Sequence, residues 1–518
     1  MSRKSKIVSF LLSAVLLMGS LSACSTSPEK VENNNGSGTA GTDSTSSEAS
    51  DGNSNEATKD PYEIAVVMPA IGPVPKDLQA VQDEINKITK EKINATVKIN
   101  MVSVGAYEQQ LNLMTSSGEK LDLFVTFGSN YTPYASSGKI KELQDLLEKY
   151  GQNLVKQFDP EYLKSAMVNG EIYGVPNLKD FTSGVPGILM RKDLVEKYNI
   201  DVASIKSIDD LDPIFKTIKD NEPNMVPLAI GLAAPSDKYT WYDKLTNRFG
   251  VLPGFDNDLK VVNLFETKEY EDYLTKVHSW FKAGYINKDA ATNQAPSQEL
   301  LKANKAFAFI TSVKVGGVAR ESRNAGNELV FAPLLPNNYS TTSDVLTALW
   351  TISENSANPE RVMMLMDLMY TDQAIVNLLK WGVEGLNYVK VSDNTIDYPP
   401  GVDSKTVGYY VQNYLIPNVF LTHVFKGDSP DLWKLVAEEN QQAIKSKALG
   451  FNFDSNPVRN EITALNNVVE QFAKGLESGA LDPAQRLPEF RDKLKAAGID
   501  KVIAEKQKQL DAWAAANK

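Results

Sequence analysis

The sequence predicts a large α/β protein with two lobes and a mostly helical C-terminal region. From residue 62 onward, short apolar runs that suit buried strands alternate with amphipathic runs that suit helices, and a second such region begins near Gly187. This alternation is typical of a parallel sheet covered by helices. The chain has 518 residues, which is long for a single hydrophobic core. We therefore expect two lobes, each built on its own sheet.

The first 24 residues have the features of an export signal. Basic residues at positions 3, 4 and 6 precede an apolar run, residues 7–18, that is too short to span a bilayer permanently. The signal ends in Leu21-Ser22-Ala23-Cys24, which resembles the lipobox of bacterial lipoproteins. This resemblance implies cleavage before Cys24 and acylation of that residue, and two or three acyl chains suffice for stable attachment to a membrane. The alternative is a plain secretory signal with a chance cysteine.

Residues 25–60 are predicted to form a flexible spacer. They are rich in Ser, Thr, Asn, Gly and Glu and contain almost no large apolar side chain. Such a segment buries too little surface to offset the loss of chain entropy on folding. Residues 1–23 are thus expected to be a signal peptide, and residues 24–60 an acylated cysteine followed by a linker.

The composition argues against several classes of protein. The net charge is −11 and no strongly basic block occurs, which argues against nucleic acid and against electrostatic binding to anionic lipid. Cys24 is the sole cysteine, so no internal disulfide can form. The chain contains only two histidines, His278 and His423, which argues against a zinc centre or a catalytic Cys/His pair. We expect neither a cofactor nor a metal.

The first α/β region is predicted to contain three strands and three helices. The strands are expected over residues 64–68, 97–101 and 121–126, and the helices after an N-cap at Asp77, around residues 107–114, and over residues 140–150. Parallel sheets bind ligands at the carboxyl ends of their strands. The loop Phe127-Gly128-Ser129-Asn130-Tyr131 would lie at such an end.

The second region continues the alternation. Helices are predicted over residues 193–198, 208–218 and 270–281, and strands over residues 226–230, 307–311, 329–333 and 346–353. Asn358 and Pro359 supply an N-cap and a first-turn proline for a helix over residues 361–369. Residues 441–518 are predicted to be mostly helical, with breaks at the glycines in positions 450, 475, 479 and 498.

Four stretches of the chain carry a resemblance to a known family. They are, in chain order, residues 122–125 with 134–140, residues 170–176 with 190–194, residues 306–309, and residues 381–389 with 448–451 and 506–513. Together they resemble the extracellular solute-binding proteins of ABC importers, in the group of sugar-binding lipoproteins often named after LipO. The chain departs from this pattern at residues 312–315, where several sugar-binding relatives carry tryptophan. This departure argues against a maltodextrin-like ligand.

The resemblance implies a fold and a function. The fold is the two-lobed, type II periplasmic-binding-protein clamshell, with a first lobe at residues 61–178 and about 334–400, a second at residues 179–333, and a helical region at residues 401–518 packing on the lobes. The function is that of a lipid-anchored protein outside the membrane of a Gram-positive bacterium. It would capture an oligosaccharide between the lobes, without chemistry on the ligand, and deliver it to ABC permease subunits. We also expect a monomer.

A sugar-binding cleft needs aromatic platforms with amide, carboxylate and hydroxyl groups nearby. The predicted ligand contacts are Phe127, Ser129, Asn130, Tyr131, Asn177, Phe181, Tyr239, Trp241, Tyr242, Trp350, Trp381 and Glu384. The structural alternatives are a capped turn at residues 127–131, a hinge turn at residues 177–181, and core packing for Trp350, whereas the three rings at positions 239, 241 and 242 cannot all face one core. Trp280, Trp433 and Trp513 are expected to pack in helices. Lys314 is expected to face solvent rather than an acidic sugar.

Other functions remain as alternatives. A binding protein that feeds a sensor kinase would have the same fold and cleft. A tethered glycoside hydrolase would need a pair of carboxylates, which the 65 acidic residues can always supply. No sequence motif of a serine hydrolase, zinc protease or nucleotide-binding loop occurs. The segment Asp256-Asn257-Asp258 lacks the glycine and distal glutamate of a calcium loop, so a turn is expected there.

Overall fold

The computed structural model describes residues 57–236, 242–335 and 337–517. The export signal with Cys24 and the two ring-bearing residues Tyr239 and Trp241 lie outside the described residues. Within them, no helix is both long and apolar enough to cross a membrane.

Helices and strands alternate through most of the described chain. The strands are β1 Tyr62–Ala70, β2 Ala95–Ser103, β3 Leu123–Phe127, β4 Met167–Val168, β5 Glu171–Ile172, β6 Val175–Pro176, β7 Val185–Arg191, β8 Val226–Leu228, β9 Tyr242–Asp243, β10 Leu252–Pro253, β11 Ala306–Val313, β12 Leu329–Pro333, β13 Tyr339–Ser340, β14 Ala348–Ile352, β15 Val389–Lys390, β16 Thr395–Asp397, β17 Val424–Phe425 and β18 Ile444–Lys445. The α-helices are α1 Leu78–Ile93, α2 Val104–Ser117, α3 Gly128–Ser136, α4 Gln144–Tyr150, α5 Gln152–Val155, α6 Pro160–Lys164, α7 Lys192–Lys197, α8 Leu211–Asn221, α9 Lys268–Lys282, α10 Ser297–Lys302, α11 Gly317–Ala325, α12 Thr342–Val345, α13 Pro359–Thr371, α14 Gln373–Trp381, α15 Leu432–Gln442, α16 Arg459–Glu477, α17 Pro483–Ala496 and α18 Ile499–Ala516.

Two separate sheets organise the molecule. The first has the order β2-β1-β3-β14-β6, in which the first three strands are parallel and β14 is antiparallel to β3. The second has the order β12-β7-β11-β8, in which β7 is antiparallel to both of its neighbours. Each sheet carries its own hydrophobic core. We call the first sheet with its core the first lobe, and the second sheet with its core the second lobe.

The C-terminal region divides between the two lobes. Tyr409 and Val419 are buried in the core of the first lobe. The apolar faces of α16, α17 and α18 pack into the core of the second lobe, for instance through Leu465, Phe490 and Leu510. The last three helices thus complete the second lobe because they bury a face that its four-stranded sheet alone leaves uncovered.

Three segments carry the chain from one core to the other. They run between Phe181 and Ile188, between Leu334 and Val345, and between Trp433 and Ala448. Two of these crossings are joined by the parallel pair β13 and β18. A small number of connecting segments between two compact bodies is the usual geometry of a hinge.

The structure confirms the alternation and corrects several boundaries. The predicted loop after β3 is instead the start of α3, and the helix expected from residue 140 begins only at Gln144. The prediction of a mostly helical segment fails for residues 443–458, which carry β18 and a short 3-10 turn. Gly475 lies inside α16 rather than at a break. Glycine suits this position because a Cβ there would lie only 2.6 Å from the Leu481 side chain that packs against it.

Candidate ligand-binding site

A cavity of about 880 Å³ lies between the two lobes. The second lobe contributes the loop after β11 and one side of α11, including Lys314, Arg320 and Arg323. The segment that leads into the first crossing contributes Lys179 and Asp180. The first lobe contributes the segments around β16 and β17 and the ends of α14 and α15. This volume is within the range usual for small-molecule sites, about 300–1,000 Å³.

Six aromatic rings line the first-lobe side of the cavity, and we call them the aromatic wall. They are Trp381, Tyr398, Tyr410, Tyr414, Phe425 and Trp433. The Trp381 ring lies 5.8 Å from the Phe425 ring and 5.8 Å from the Tyr410 ring, measured between centroids. The Tyr398 ring lies 4.7 Å from that of Phe425. Partly exposed rings in such a group offer flat apolar faces on which the C–H face of a sugar can stack.

Backbone contacts fix the polar edges of both tryptophans. The Trp381 Nε1–H donates to the carbonyl of His423 at 3.1 Å, and the Trp433 Nε1–H donates to the carbonyl of Thr422 at 2.9 Å. Two neighbouring carbonyls at the start of β17 therefore hold two indole rings. Because the N–H groups are already satisfied, the rings can present their faces rather than their edges to the cavity.

A hydrogen-bonded turn holds the chain that follows Trp381. Gly382 has a φ of +85°, and a Cβ there would lie 2.4 Å from Oδ1 of Asn387. That oxygen accepts from the backbone N–H of Val383, while the Asn387 amide donates to the Asp77 carboxylate at 2.8 Å. Asp77 makes no side-chain cap to α1, so the predicted capping bond is replaced by this link to the Trp381 turn.

The opposite side of the cavity carries paired charges. Lys314 lies 2.9 Å from the Asp180 carboxylate, Arg323 lies 2.8 Å from the Asp428 carboxylate, and Arg320 lies 3.4 Å from Glu321. The prediction that Lys314 merely faces solvent is therefore wrong, since its ammonium is bound to Asp180. The Arg323–Asp428 pair joins the second lobe to the first.

Burial and charge shift the ionisation of the groups at the base of the cavity. Burial lowers the pKa of Lys179 to about 8, while its ammonium donates to the carbonyls of Asp180 and Asp344. Burial alone would raise the pKa of Asp180, but the positive charges of Lys314 and Lys179 outweigh it and lower that pKa. Burial also lowers the pKa of His423, so its imidazole is neutral at pH 7.

Only one of the predicted ligand contacts that the structure describes lines this cavity, namely Trp381. Glu384 is half exposed beside it and forms an ion pair with Lys390 at 3.1 Å. Ser129 is exposed and Asn130 partly so, in the first turn of α3, while Phe127 packs edge-on against Tyr107.

Five further predicted contacts are buried, so their side chains have little or no surface to offer a ligand in this conformation. They are Tyr131, Asn177, Phe181, Tyr242 and Trp350. The Tyr131 hydroxyl donates to the carbonyl of Ala166, the Asn177 amide donates to the carbonyl of Tyr414, and the Phe181 ring stacks on Tyr162. The Tyr242 hydroxyl donates to Thr267, and Trp350 is a core residue of the central strand β14. For these positions the structure supports the alternative structural roles.

Sequence reasoning missed most of the aromatic wall. Trp433 packs from α15 against the core of the first lobe, as expected, but its ring also lines the cavity, which was not predicted. Tyr398 and Tyr410 lie in irregular chain and Tyr414 in a short 3-10 turn, so no strand or helix period reveals which side of the chain faces the cavity. The sequence does offer one indication of these rings, since aromatic residues recur on both sides of the Pro399-Pro400-Gly401 turn.

No metal centre is apparent in the described part of the chain, where no cluster of three His, Cys, Asp or Glu side chains occurs. The Asp256 carboxylate is bound to Lys447 at 2.9 Å, which agrees with the expected turn.

Comparison with known proteins identifies relatives across this whole architecture. Residues 72–375 match the family described as bacterial extracellular solute-binding protein, and residues 447–515 match a domain of unknown function. A carbohydrate ABC transporter substrate-binding protein of Streptococcus pneumoniae is 31% identical over 89% of this chain and 93% of its own length. The lipoprotein LipO of Bacillus subtilis is 26% identical over 65% of this chain and 69% of its own.

A solved structure shares the fold. It is the N-glycan transport solute binding protein NgtS of Streptococcus pneumoniae, with a TM-score of 0.77, 30% identity, and coverage of 88% of this chain and 100% of that chain. Two structures of NgtS in complex with glycans, Man1GlcNAc and Man5GlcNAc, have TM-scores of 0.69 and 0.67.

Proposed function

Because the chain belongs to the bacterial extracellular solute-binding proteins, we propose that it captures an oligosaccharide between its lobes and delivers it to an ABC importer. The observation that carries this proposal is the interlobe cavity with six aromatic rings on one side and hydrogen-bonding side chains on the other. A pyranose ring requires this combination, since its C–H faces are weakly apolar and its edge bears hydroxyls.

The ligand we propose is an oligosaccharide of the N-glycan kind, containing mannose and N-acetylglucosamine. Support comes from NgtS, described as an N-glycan transport protein and solved with Man5GlcNAc, which covers 88% of this chain at about 30% identity. Lys314 and Arg323 are paired with the carboxylates of Asp180 and Asp428, which also line the cavity, so these two cations do not require a charged ligand.

We propose that ligand capture closes the hinge. Contacts to both lobes can form together only in a closed arrangement, so a ligand that makes them shifts the population toward closure. The closed form would then be the one that the membrane permease recognises.

We further propose that Cys24 anchors the protein to the outer face of the cell membrane through acyl chains. The lipobox-like segment before it and the LipO relative support this proposal. Replacing Cys24 by Ser should release the protein into the medium and abolish incorporation of labelled palmitate. Retention of the variant in the membrane fraction would contradict the anchor.

The experiment that tests the function is thermal unfolding of residues 57–518 against a panel of glycans. The panel should contain Man5GlcNAc, Man1GlcNAc, a maltodextrin, an alginate oligosaccharide and a peptide control, each analysed afterwards by mass spectrometry. A ligand at a hundred times its dissociation constant adds about 2.7 kcal/mol to the free energy of unfolding, which raises the midpoint measurably. A midpoint raised by an intact N-glycan fragment supports the proposal, whereas a cleaved glycan would indicate a hydrolase.

A further inference from the structure

A lysine is completely buried directly behind the aromatic wall. Lys380, in the last turn of α14, has no exposed surface. Its Nζ lies 4.5 Å from the centre of the Trp381 ring and 3.9 Å from the centre of the Tyr410 ring. The ammonium donates a hydrogen bond to the carbonyl of Val411, and the backbone N–H of Val411 donates back to the carbonyl of Lys380.

This position is unfavourable for an ammonium group by itself. Transfer of a charge from water to a protein interior is costly unless the charge is paired. Within the described part of the chain, no carboxylate lies within 4.0 Å of the Lys380 Nζ, and burial favours the neutral amine and lowers the pKa of this lysine well below its usual range, whereas the two ring faces and the Val411 carbonyl favour the charged form. One carbonyl and the faces of two rings are the groups that compensate it.

A second buried lysine shows how the fold treats an ammonium with a purely structural role. Lys506, in α18, is also fully buried, but its Nζ is surrounded by the carbonyls of Lys244, Asn247 and Gly250 and the side-chain oxygen of Asn247, at 2.8 to 3.3 Å. That site offers the ammonium four oxygen partners, and its ring contact, with Phe453, is longer, at 5.1 Å to the centroid. The Lys380 site instead points the charge at two aromatic rings.

Both rings take part in the cavity. Trp381 and Tyr410 line it, and their centroids lie 5.8 Å apart with an angle of 54° between the planes. An ammonium over the face of Trp or Tyr is attracted to the ring, and the attraction is stronger the more the charge is desolvated. Lys380 therefore draws two cavity rings toward one point and resists their rotation.

We propose that Lys380 is a positioning residue for the ligand: its ammonium holds the Trp381 and Tyr410 rings from behind, in the orientation in which they receive a sugar. This inference rests on the proposed function, and it explains why these two rings of the aromatic wall keep their orientation. Rings that are already oriented lose less rotational freedom when a ligand stacks on them, so the affinity is higher than for mobile rings.

The test compares two uncharged variants. Lys380→Met removes the charge and the hydrogen bond to Val411, whereas Lys380→Gln removes the charge but can still donate to that carbonyl. We expect both to weaken binding of Man5GlcNAc about tenfold, in keeping with the loss of two cation–π contacts. Restoration of the wild-type affinity by Lys380→Gln would overturn the proposal, since a structural hydrogen bond would then be the whole effect.

A spectroscopic measurement tests the same claim without any ligand. Tryptophan emission of the free protein should change on Lys380→Met, because the indole of Trp381 loses its neighbouring charge, and this change should vanish in a Trp381→Phe background. Unchanged emission would contradict the proposal even if no glycan of the panel binds. Failure of the wild type to bind any glycan would overturn the proposed function separately.

The matched control is Lys506→Met. It also removes a buried ammonium, but at a site whose partners, residues 244–250, do not line the cavity. We expect this variant to lower the unfolding midpoint while the affinity for Man5GlcNAc and the Trp381 emission stay unchanged. A loss of affinity equal to that of Lys380→Met would show that any buried lysine has this effect, and would contradict a specific role for Lys380.

Discussion

Arg323 of the second lobe forms an ion pair with Asp428 of the first lobe, with 2.8 Å between the guanidinium Nη2 and the carboxylate Oδ1. Both residues line the cavity. The pair therefore connects the two bodies that would have to move relative to one another when a ligand enters or leaves.

The first prediction concerns this ion pair. The Arg323 side chain is about half exposed, so water and salt screen the attraction, and pairs of this kind contribute about 0.2–1 kcal/mol. We expect Arg323→Ala and Asp428→Ala each to change the glycan affinity by less than about fivefold, with little further change in the double variant. Titration calorimetry at low salt and at about 1 M salt measures this, and the effect should vanish at high salt. Additive effects that persist at high salt would contradict an interlobe ion pair.

The second prediction separates a cavity tryptophan from a core tryptophan. Trp433→Ala should weaken glycan binding by tenfold or more, because a stacking face is lost, with a small effect on stability. Trp280, 1% exposed and packed against Phe215, should behave in the opposite way, since its removal leaves a cavity that costs about 3–5 kcal/mol. Denaturant unfolding measures the stability of both variants, and titration calorimetry measures their affinity for the glycan. Full affinity in Trp433→Ala would remove this ring from the site.

The third prediction concerns the hinge. Asn440 is buried, accepts from the backbone N–H of Phe181 at 2.7 Å, and donates to the carbonyl of Lys179 at 2.8 Å. Asn440→Ala leaves two buried backbone groups without these partners, and we expect the free energy of unfolding to fall by about 2–4 kcal/mol. Asn338→Ala is the matched control, because Asn338 is more exposed, and it should cost less than about 1 kcal/mol. An equal decrease in the free energy of unfolding of both variants, measured by urea unfolding, would show that the buried hydrogen bonds of Asn440 do not contribute more than those of Asn338.

The fourth prediction follows from the buried Lys506. Burial lowers its pKa to about 7 in the folded chain, whereas an unfolded lysine titrates near 10.5. Between these values the unfolded chain binds a proton that the folded chain does not, so the contribution of Lys506 to the free energy of unfolding rises with pH across this window. Urea unfolding from pH 7.5 to 9.5 should show a steeper rise for the wild type than for Lys506→Met. Equal slopes of the free energy of unfolding against pH in the two proteins would contradict the lowered pKa of Lys506.

Much of the fold could be predicted because the spacing of apolar residues that marks a strand or a helix is a local property of the sequence. The strand over residues 329–333 has the predicted bounds, and the helix around residues 107–114 forms as α2 over Val104–Ser117. The crossings were harder to predict because they depend on contacts between distant segments. The bonds of Asn440 to Phe181 and Lys179, for example, span about 260 residues of sequence.

The site was predicted less well than the fold, for a physical reason. Aromatic residues serve equally in a core and in a sugar platform, and sequence shows the residue type but not the side of the chain that faces the cavity. Trp350 and Trp433 illustrate this point, since the first was predicted to contact ligand and is buried in β14, and the second was predicted only to pack and both packs and lines the cavity. The charge pairs of Lys314 and Arg323 likewise join residues that are far apart in the chain.

The central claim is that an oligosaccharide binds between the lobes and closes them, and a distance measurement tests it most directly. The chain beyond Cys24 contains no cysteine, so two spin labels can be attached at engineered sites, Leu113→Cys in the first lobe and Lys302→Cys in the second, both on exposed positions. We predict that saturating Man5GlcNAc changes the distance distribution between the labels to one new population, with the glycan recovered intact. An unchanged distribution at every glycan concentration would contradict the account.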